Sequence, residues 1–352
     1  MPNLDSPLQL SPVFLPKIWG REKLEPIFKR PASFPPGELI GEVWLTASES
    51  RFMNGPIAGM TLGEASEQFG PQLNGEMWKD RRFPLLAKYI YTSDWLSVQV
   101  HPDDAQAARF NPGERGKCEL WYMVSSGRKG AYLAGVKPRV TAAKLRASFE
   151  QGTSRSDLNL FHPRPGEAVF MPPGTVHALG PGLVLFEVEE NSDLTYRLDD
   201  FGRKGLDGKP RPLHLEKGLA VARLDAPALR NLPVVSLKEP WGSHRFVTAC
   251  GYFALEELNL QKRAVFRGRG HAVEVLSVLA GEGRIETPAG WLGFHCGDTW
   301  LIPPAAAEFR LVPREKTQLL KFYVPDVDKD FRRPLLKRGV QTSTIERIIF
   351  AE

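Results

Sequence analysis

The alternation of polar and apolar residues in Leu96-Ser97-Val98-Gln99-Val100-His101 has the period of a β-strand between a polar cavity and a core. Ser97, Gln99 and His101 share one face, and Leu96, Val98 and Val100 share the other. The same rule puts Lys117 and Glu119 on a common face of the run Lys117 to Tyr122. Glu42 to Thr46, Phe83 to Tyr91 and Leu183 to Glu190 are rich in β-branched and aromatic residues and read as further strands. Three helices carry start signals. Thr61 and Glu64 form a capping box ahead of the stripe Leu62, Ala65 and Phe69, with Gly70 as the stop. Asp103 and Asp104 cap a short helix through Arg109, ended by Asn111-Pro112-Gly113. Thr141 opens a helix to Gly152 with Leu145 and Phe149 one turn apart. A fourth helix is expected around Leu213 to Ala222.

The pattern then repeats. Gly297-Asp298-Thr299-Trp300-Leu301-Ile302-Pro303-Pro304 follows Gly166 to Pro173 position for position, and Glu308 stands where His177 stands. Glu274 precedes Gly281 much as Glu119 precedes Gly127. An internal duplication accounts for both matches. The boundary falls in the Pro-bearing stretch Ala226 to Pro240, giving a first domain over 1–230 and a second over 231–352. Residues 1–38 read as a Pro-rich strap over the body, and the segment after Pro325 reads as a solvated tail or a strap. The expected fold is mainly β, two barrels with a small helical insertion in the first half.

Composition narrows the function classes. The 352 residues are enough for one large or two ordinary domains. With 32 Gly and 30 Pro, the chain suits many short strands and turns. A formal charge of +5, without a basic run interleaved with aromatics, gives no sign of nucleic-acid binding and agrees with a small anionic substrate. Three scattered cysteines make no disulfide framework, and no stretch is long and apolar enough to span a bilayer. The expectation is a cytoplasmic protein, a monomer or a weak homo-oligomer.

The chemistry lies in the first half. Two histidines (His101 and His177), a carboxylate (Glu119) and an amide (Gln99) can converge on one divalent cation. Imidazole and carboxylate donors suit Zn²⁺ or a neighbouring first-row ion. The spacing of Gly166, Pro172, Gly174 and His177 resembles the signature of the cupin barrel, a jelly roll, in which the His begins a strand and faces the cavity. Leu96 to Asp104, Gly116 to Tyr122, Pro172 to Leu179 and Asn191 to Arg197, in that order, resemble the type I mannose-6-phosphate isomerase family. Ile18-Trp19-Gly20 and Phe83 to Lys88 look like further segments of its compact bacterial branch.

That resemblance implies one zinc ion held by Gln99, His101, Glu119 and His177. It places Ser97 and Lys117 among the active-site residues, and matches Glu187, Asp193, Arg197 and Arg203 to the acidic and basic positions after the third motif. The implied reaction is the interconversion of mannose 6-phosphate and fructose 6-phosphate through an enediol(ate), with a cation stabilising the charge that develops on oxygen. Lys117, Glu187, Asp193 and a metal-bound water remain candidates for proton transfer, and Arg197 has the fork to meet phosphate or enediolate. Ser97, Lys117, Arg197 and Arg203 are the substrate-binding candidates. Leu179 and Cys118 depart from some relatives. Another metal-dependent cupin enzyme, such as an oxygenase, and a catalytically silent sugar-phosphate binder are the alternative classes.

Overall fold

The structure is a computed structural model that describes residues 2–76, 80–225 and 232–350. Its sheets stack in layers. A five-stranded sheet has His177–Leu179 at its middle and carries Val98–Val100 next to it, paired on its other side with the edge strand Tyr196–Asp199. It faces a six-stranded sheet in which Leu183–Glu190 lies between Leu85–Tyr91 and Glu119–Ser126. The far side of that sheet packs on a seven-stranded one built around Glu274–Ala280 and Thr317–Tyr323, which in turn covers a four-stranded sheet.

Strand alternation decides what each layer buries. In Leu183–Glu190, Leu183 and Leu185 join Trp121 and Ile90 against the five-stranded sheet, whereas Val184, Phe186 and Val188 join Tyr89 and Phe322 on the other side. Glu187 and Glu189 continue the first of these faces, so a strand buried on both sides places carboxylates inside the first half. The outer face of the five-stranded sheet, including Val98, Val100 and Leu198, is covered by helices through Leu145, Phe149 and Val221.

These helices begin where the caps were read. Thr61 and Glu64 complete a capping box, Asp103 and Gln106 complete another, and Thr141 accepts from the Lys144 amide. Asp104 instead accepts from the Gly116 amide at 2.8 Å, holding the insertion against the strand that carries Glu119. Because Asp103 starts the helix next to His101, Asp103→Ala is expected to cost about 1 kcal/mol of stability with turnover nearly unchanged. A thermal melt and an assay of the same sample check this.

Two expectations change, the stop at Gly70 and the closed barrels, and two pairings add to the rest. Gly70 does not end the first helix: at φ 13° and ψ −93° it kinks the helix, which resumes through Pro71 to Asn74. Following Asn191, Tyr196–Asp199 pairs with Val98–Val100 and becomes the edge of the five-stranded sheet. The N-terminal strap serves both halves. Leu8–Leu10 pairs with Thr299–Leu301, while Val13–Arg21 pairs with Ile40–Trp44. Finally, the hydrogen-bonded strand orders are open, so facing sheets stand where closed barrels were expected. The expected domain boundary at 230/231 lies outside the described residues.

The segment after Pro325 is a strap. Phe331, Leu335, Ile345 and Ile348 pack on Phe246, Ala249 and Tyr323, and Phe350 stacks on Phe170 of the first half at 4.2 Å. Asp330 reaches inward to Arg269 at 3.2 Å and His271 at 2.8 Å. No helix among the described residues is long and apolar enough to cross a membrane.

The two halves present the same register with different residues. Glu187 faces Lys88 and Glu189 faces Glu119 in the first, whereas Lys321 faces Glu256 and Tyr323 faces Glu274 in the second. The second interior is closed by ion pairs, Lys321 to Glu256 at 2.6 Å and Arg269 to Glu274 at 2.9 Å. Glu308 lies outside it, beside Arg310 at the surface. Glu308→Gln is therefore expected to leave metal content and turnover unchanged. A second tightly bound ion, lost in Glu274→Ala, contradicts this.

Candidate metal centre and active site

Three neighbouring strands of the five-stranded sheet place Arg197, Gln99 and His177 in one cross-strand row. Directly opposed residues share a face, so all three look toward the six-stranded sheet. His101 follows two residues after Gln99 on the same face, and Glu119 opens the strand across the gap. Gln99 Nε2 lies 3.4 Å from His101 Nε2 and 3.3 Å from His177 Nε2. Glu119 Oε1 is 3.2 Å from His177 Nε2, and Oε2 is 3.6 Å from His101 Nε2.

Those separations have a chemical meaning. Ligands about 2.0–2.1 Å from a tetrahedral ion stand about 3.3 Å from one another. His101 Nδ1 donates to the Leu194 carbonyl at 2.9 Å and His177 Nδ1 to the Thr175 carbonyl at 2.8 Å. Each Nε2 then keeps its lone pair for the centre, with the ring orientation fixed from behind. Both Glu119 oxygens are buried; Oε2 has Lys117 Nζ at 3.2 Å, and Oε1 receives no hydrogen bond. Burial, then the charges of Lys117 and His177, hold His101 well below its usual pKa, so it is a neutral ligand. Burial, then Glu187, pushes Glu119 up, a penalty that a cation relieves. Gln99 completes the set once its amide is turned to present Oε1, an exchange of O for N that leaves the shape unchanged. These residues fit a divalent cation.

A second acidic group, Glu119 with Glu187 and Glu189, is already neutralised. Lys88 Nζ lies 3.0 Å from Glu187 and 2.9 Å from Glu189, and Lys117 Nζ lies 2.7 Å from Glu189 and 3.2 Å from Glu119. Burial opposes both charges, but the surrounding carboxylates raise the two ammonium groups above their ordinary range. Lys117 is therefore a cationic donor rather than a base. Burial likewise opposes the charge on Glu187, yet Lys88 and then Lys117 hold its pKa well below the usual carboxylate range. Trp121 Nε1 donates to its other oxygen at 2.8 Å.

Above this floor opens a cavity of about 600 Å³, to which Ser97, Gln99, Lys117, Glu187, Asp193 and Arg197 all contribute. Ser97 is buried, with its Oγ 3.3 Å from the Gln99 amide, where it accepts from the NH2 group once that amide is turned. Asp193 is exposed at the rim, and its carboxylate makes no ion pair or hydrogen bond among the described residues. Arg197 is half-buried. Its NH1 donates to the Pro212 carbonyl at 3.0 Å, and its buried Nε has no partner among the described residues. Arg203 is placed elsewhere. It is not among the residues lining this cavity, because its guanidinium is engaged by the Asp200 carbonyl and carboxylate, by Asp94 and by the Trp95 carbonyl.

The cavity also holds residues that sequence reasoning missed, namely Lys17, Trp19, Glu42, Lys88 and Arg211. Lys88 had a signal, a charge on the Ile90 face of a strand otherwise apolar. Arg211 had none, since nothing local marks a loop arginine that folds back on a tryptophan 192 positions earlier.

Comparisons with known proteins show the family of the chain. Residues 8–122 match the family model of the phosphomannose isomerase type I catalytic domain. The chain is 34% identical to mannose-6-phosphate isomerase ManA of Bacillus subtilis (strain 168), over 87% of this chain and 95% of that protein. It is 32% identical to the mannose-6-phosphate isomerase of Streptococcus mutans, over 84% and 92%. The crystal structure of the mannose 6-phosphate isomerase from Bacillus subtilis superposes with a TM-score of 0.82 at 27% identity, covering 90% of this chain and 99% of that one.

Proposed function

As a chain that belongs to the type I mannose-6-phosphate isomerase family, this protein, we infer, interconverts mannose 6-phosphate and fructose 6-phosphate at the cavity between its first two sheets. The observation that carries this reading is the convergence of Gln99, His101, Glu119 and His177, a group that meets the cavity through Gln99. The donor set favours Zn²⁺, held by Nε2 of both histidines, a Glu119 oxygen and Gln99 Oε1. A bound cation supplies Lewis acidity beside the sugar's C1 and C2 oxygens.

This chain's own residues do the rest. Lys117, kept as an ammonium, donates a hydrogen bond to a sugar oxygen beside Glu119. Arg197, in the cross-strand row with Gln99, offers its guanidinium to the same end of the substrate, where negative charge develops on oxygen. Asp193, the carboxylate at the rim without an ammonium partner, carries the proton between C1 and C2. Glu187 is too firmly held by Lys88, Lys117 and Trp121 to move a proton, and it orients Lys117 instead. Ser97 fixes the Gln99 amide. The depth of the cavity and the apolar wall of Ile90, Leu96 and Leu179 keep bulk water from the enediol.

We also infer that the halves arose by duplication, one retaining the metal donors and the other replacing them with Glu256, Glu274 and Lys321. The matching strand registers support this, as do Gly166 and Gly297, both at positive φ (82° and 92°) ahead of the equivalent strands Ala168–Met171 and Thr299–Ile302.

The direct test mixes metal-replete protein with fructose 6-phosphate and follows mannose 6-phosphate. Formation of the aldose at catalytic protein concentration is the expected result. Tight sugar-phosphate binding without turnover identifies a silent binder instead.

A further inference from the structure

An isomerase acting on C1 and C2 at the floor needs a separate group for the phosphate, six carbons along the chain. This argument rests on the function proposed above. Among the described residues, five cations line the cavity. Lys88 and Lys117 are buried and shared among Glu119, Glu187 and Glu189. Lys17 is held by Glu42 at 3.3 Å. Arg197 stands cross-strand from Gln99 and so serves the reacting end. Arg211 remains.

Its surroundings are those of a held anion receptor. Arg211 Nε donates to Asp200 Oδ2 at 2.7 Å and NH2 to Asp200 Oδ1, so the carboxylate grips one edge of the fork. NH1 and the opposite edge have no partner among the described residues. The guanidinium carbon lies 5.1 Å from the centre of the Trp19 ring, which fixes the position of the group at the cavity wall. The same Asp200 carboxylate also holds Arg203, so one negative charge is divided between two guanidiniums. The loop that carries Arg211 lays Gly205, Leu206 and Asp207 along the same rim. Asp207 accepts from the Lys209 amide at 2.9 Å, so its charge is partly spent on its own turn.

We propose that Arg211 is the phosphate-recognising residue of this enzyme, its free guanidinium edge binding the substrate phosphate while Asp200 and Trp19 hold the fork in place. Arg203, fully engaged with Asp94, Trp95 and Asp200, is the brace of that arrangement rather than a ligand. A planar fork held along one edge presents two parallel N–H donors along the other, the geometry that phosphate oxygens match.

The test compares wild type with Arg211→Lys and Arg211→Ala, using mannose 6-phosphate, inorganic phosphate and mannose as probes. Loss of a charge-assisted pair is expected to raise KM about tenfold and to weaken inhibition by inorganic phosphate by a similar factor. The kcat is expected to stay within about threefold, and metal content and mannose binding to be unchanged. Arg211→Lys keeps the charge and the stem against Trp19, so it reports on the fork even if Arg211→Ala does not fold. Unchanged KM and phosphate inhibition in Arg211→Lys overturn the proposal. Equal losses toward mannose and phosphate overturn it as well, since they mark Arg211 as a structural support. Protection of wild type from thermal unfolding by inorganic phosphate, absent in Arg211→Lys, is expected even without turnover. A wild type that binds phosphate through Arg211 but isomerises nothing refutes the isomerase reading and leaves this one standing.

Discussion

His101→Ala and His177→Ala are each expected to lose bound metal and at least about a thousandfold in kcat, because the Lewis-acid contribution to such a reaction amounts to several kcal/mol. Each change deletes one Nε2 from a set whose members stand 3.2–3.6 Å apart. No neighbour replaces it, since the nearest cations, Lys88 and Lys117, repel a metal. The substitutions also leave the Leu194 or Thr175 carbonyl without its imidazole donor, which costs about 1–3 kcal/mol of stability. Folding and metal loss are therefore separated by a second experiment. Wild type stripped with a chelator should lose turnover and recover it when Zn²⁺ is returned. Metal analysis, melting and initial rates on the same samples decide the outcome. Stripped protein that retains full turnover refutes a metal-centred reaction.

Arg197→Lys is expected to behave as a severe substitution. The cross-strand register with Gln99 sets Arg197 beside the proposed metal donors, and its buried Nε has no partner among the described residues. Burial, then the charge of Arg211, lowers its pKa from the ordinary arginine value, against the opposing pull of Asp200 and Asp193. Lysine preserves the charge and loses the fork. Removing a donor aimed at developing negative charge costs about a hundredfold or more in kcat, roughly 2.7–4 kcal/mol. Metal content should stay at the wild-type level, because Arg197 is not a ligand. If Arg197 is only a brace for the Pro212 carbonyl, both Arg197→Lys and Arg197→Ala will melt earlier and turn over normally once folded.

Much of this site was legible because a strand repeats every two residues. That period alone put Ser97, Gln99 and His101 on one face, and Lys117 with Glu119 on another, and in the structure Ser97, Gln99 and Lys117 line the cavity while His101 and Glu119 meet in the buried group beside it. The capping boxes at Thr61 and Asp103 were legible for a similar reason, since the groups that satisfy a helix end lie within three residues of it. Arg203 and Arg211 show where such reasoning stops. Both are loop arginines near Asp200, and nothing local distinguishes the one bound to Asp94 and Trp95 from the one folded onto Trp19.

The sequence by itself therefore determined which side chains share a face, where helices start, and that one half carries metal donors while the other has Glu308 in place of a histidine. Only the tertiary structure decided which faces meet. It brought Lys88 between Glu187 and Glu189, turned Tyr196–Asp199 into a sheet edge so that Arg197 stands next to Gln99, and moved Leu8–Leu10 into the second half's sheet. Periodicity is a property of a few consecutive backbone torsions and is written locally. Pairing between strands a hundred residues apart depends on what all the layers bury together, and so do the charges of the lysines and carboxylates enclosed between them.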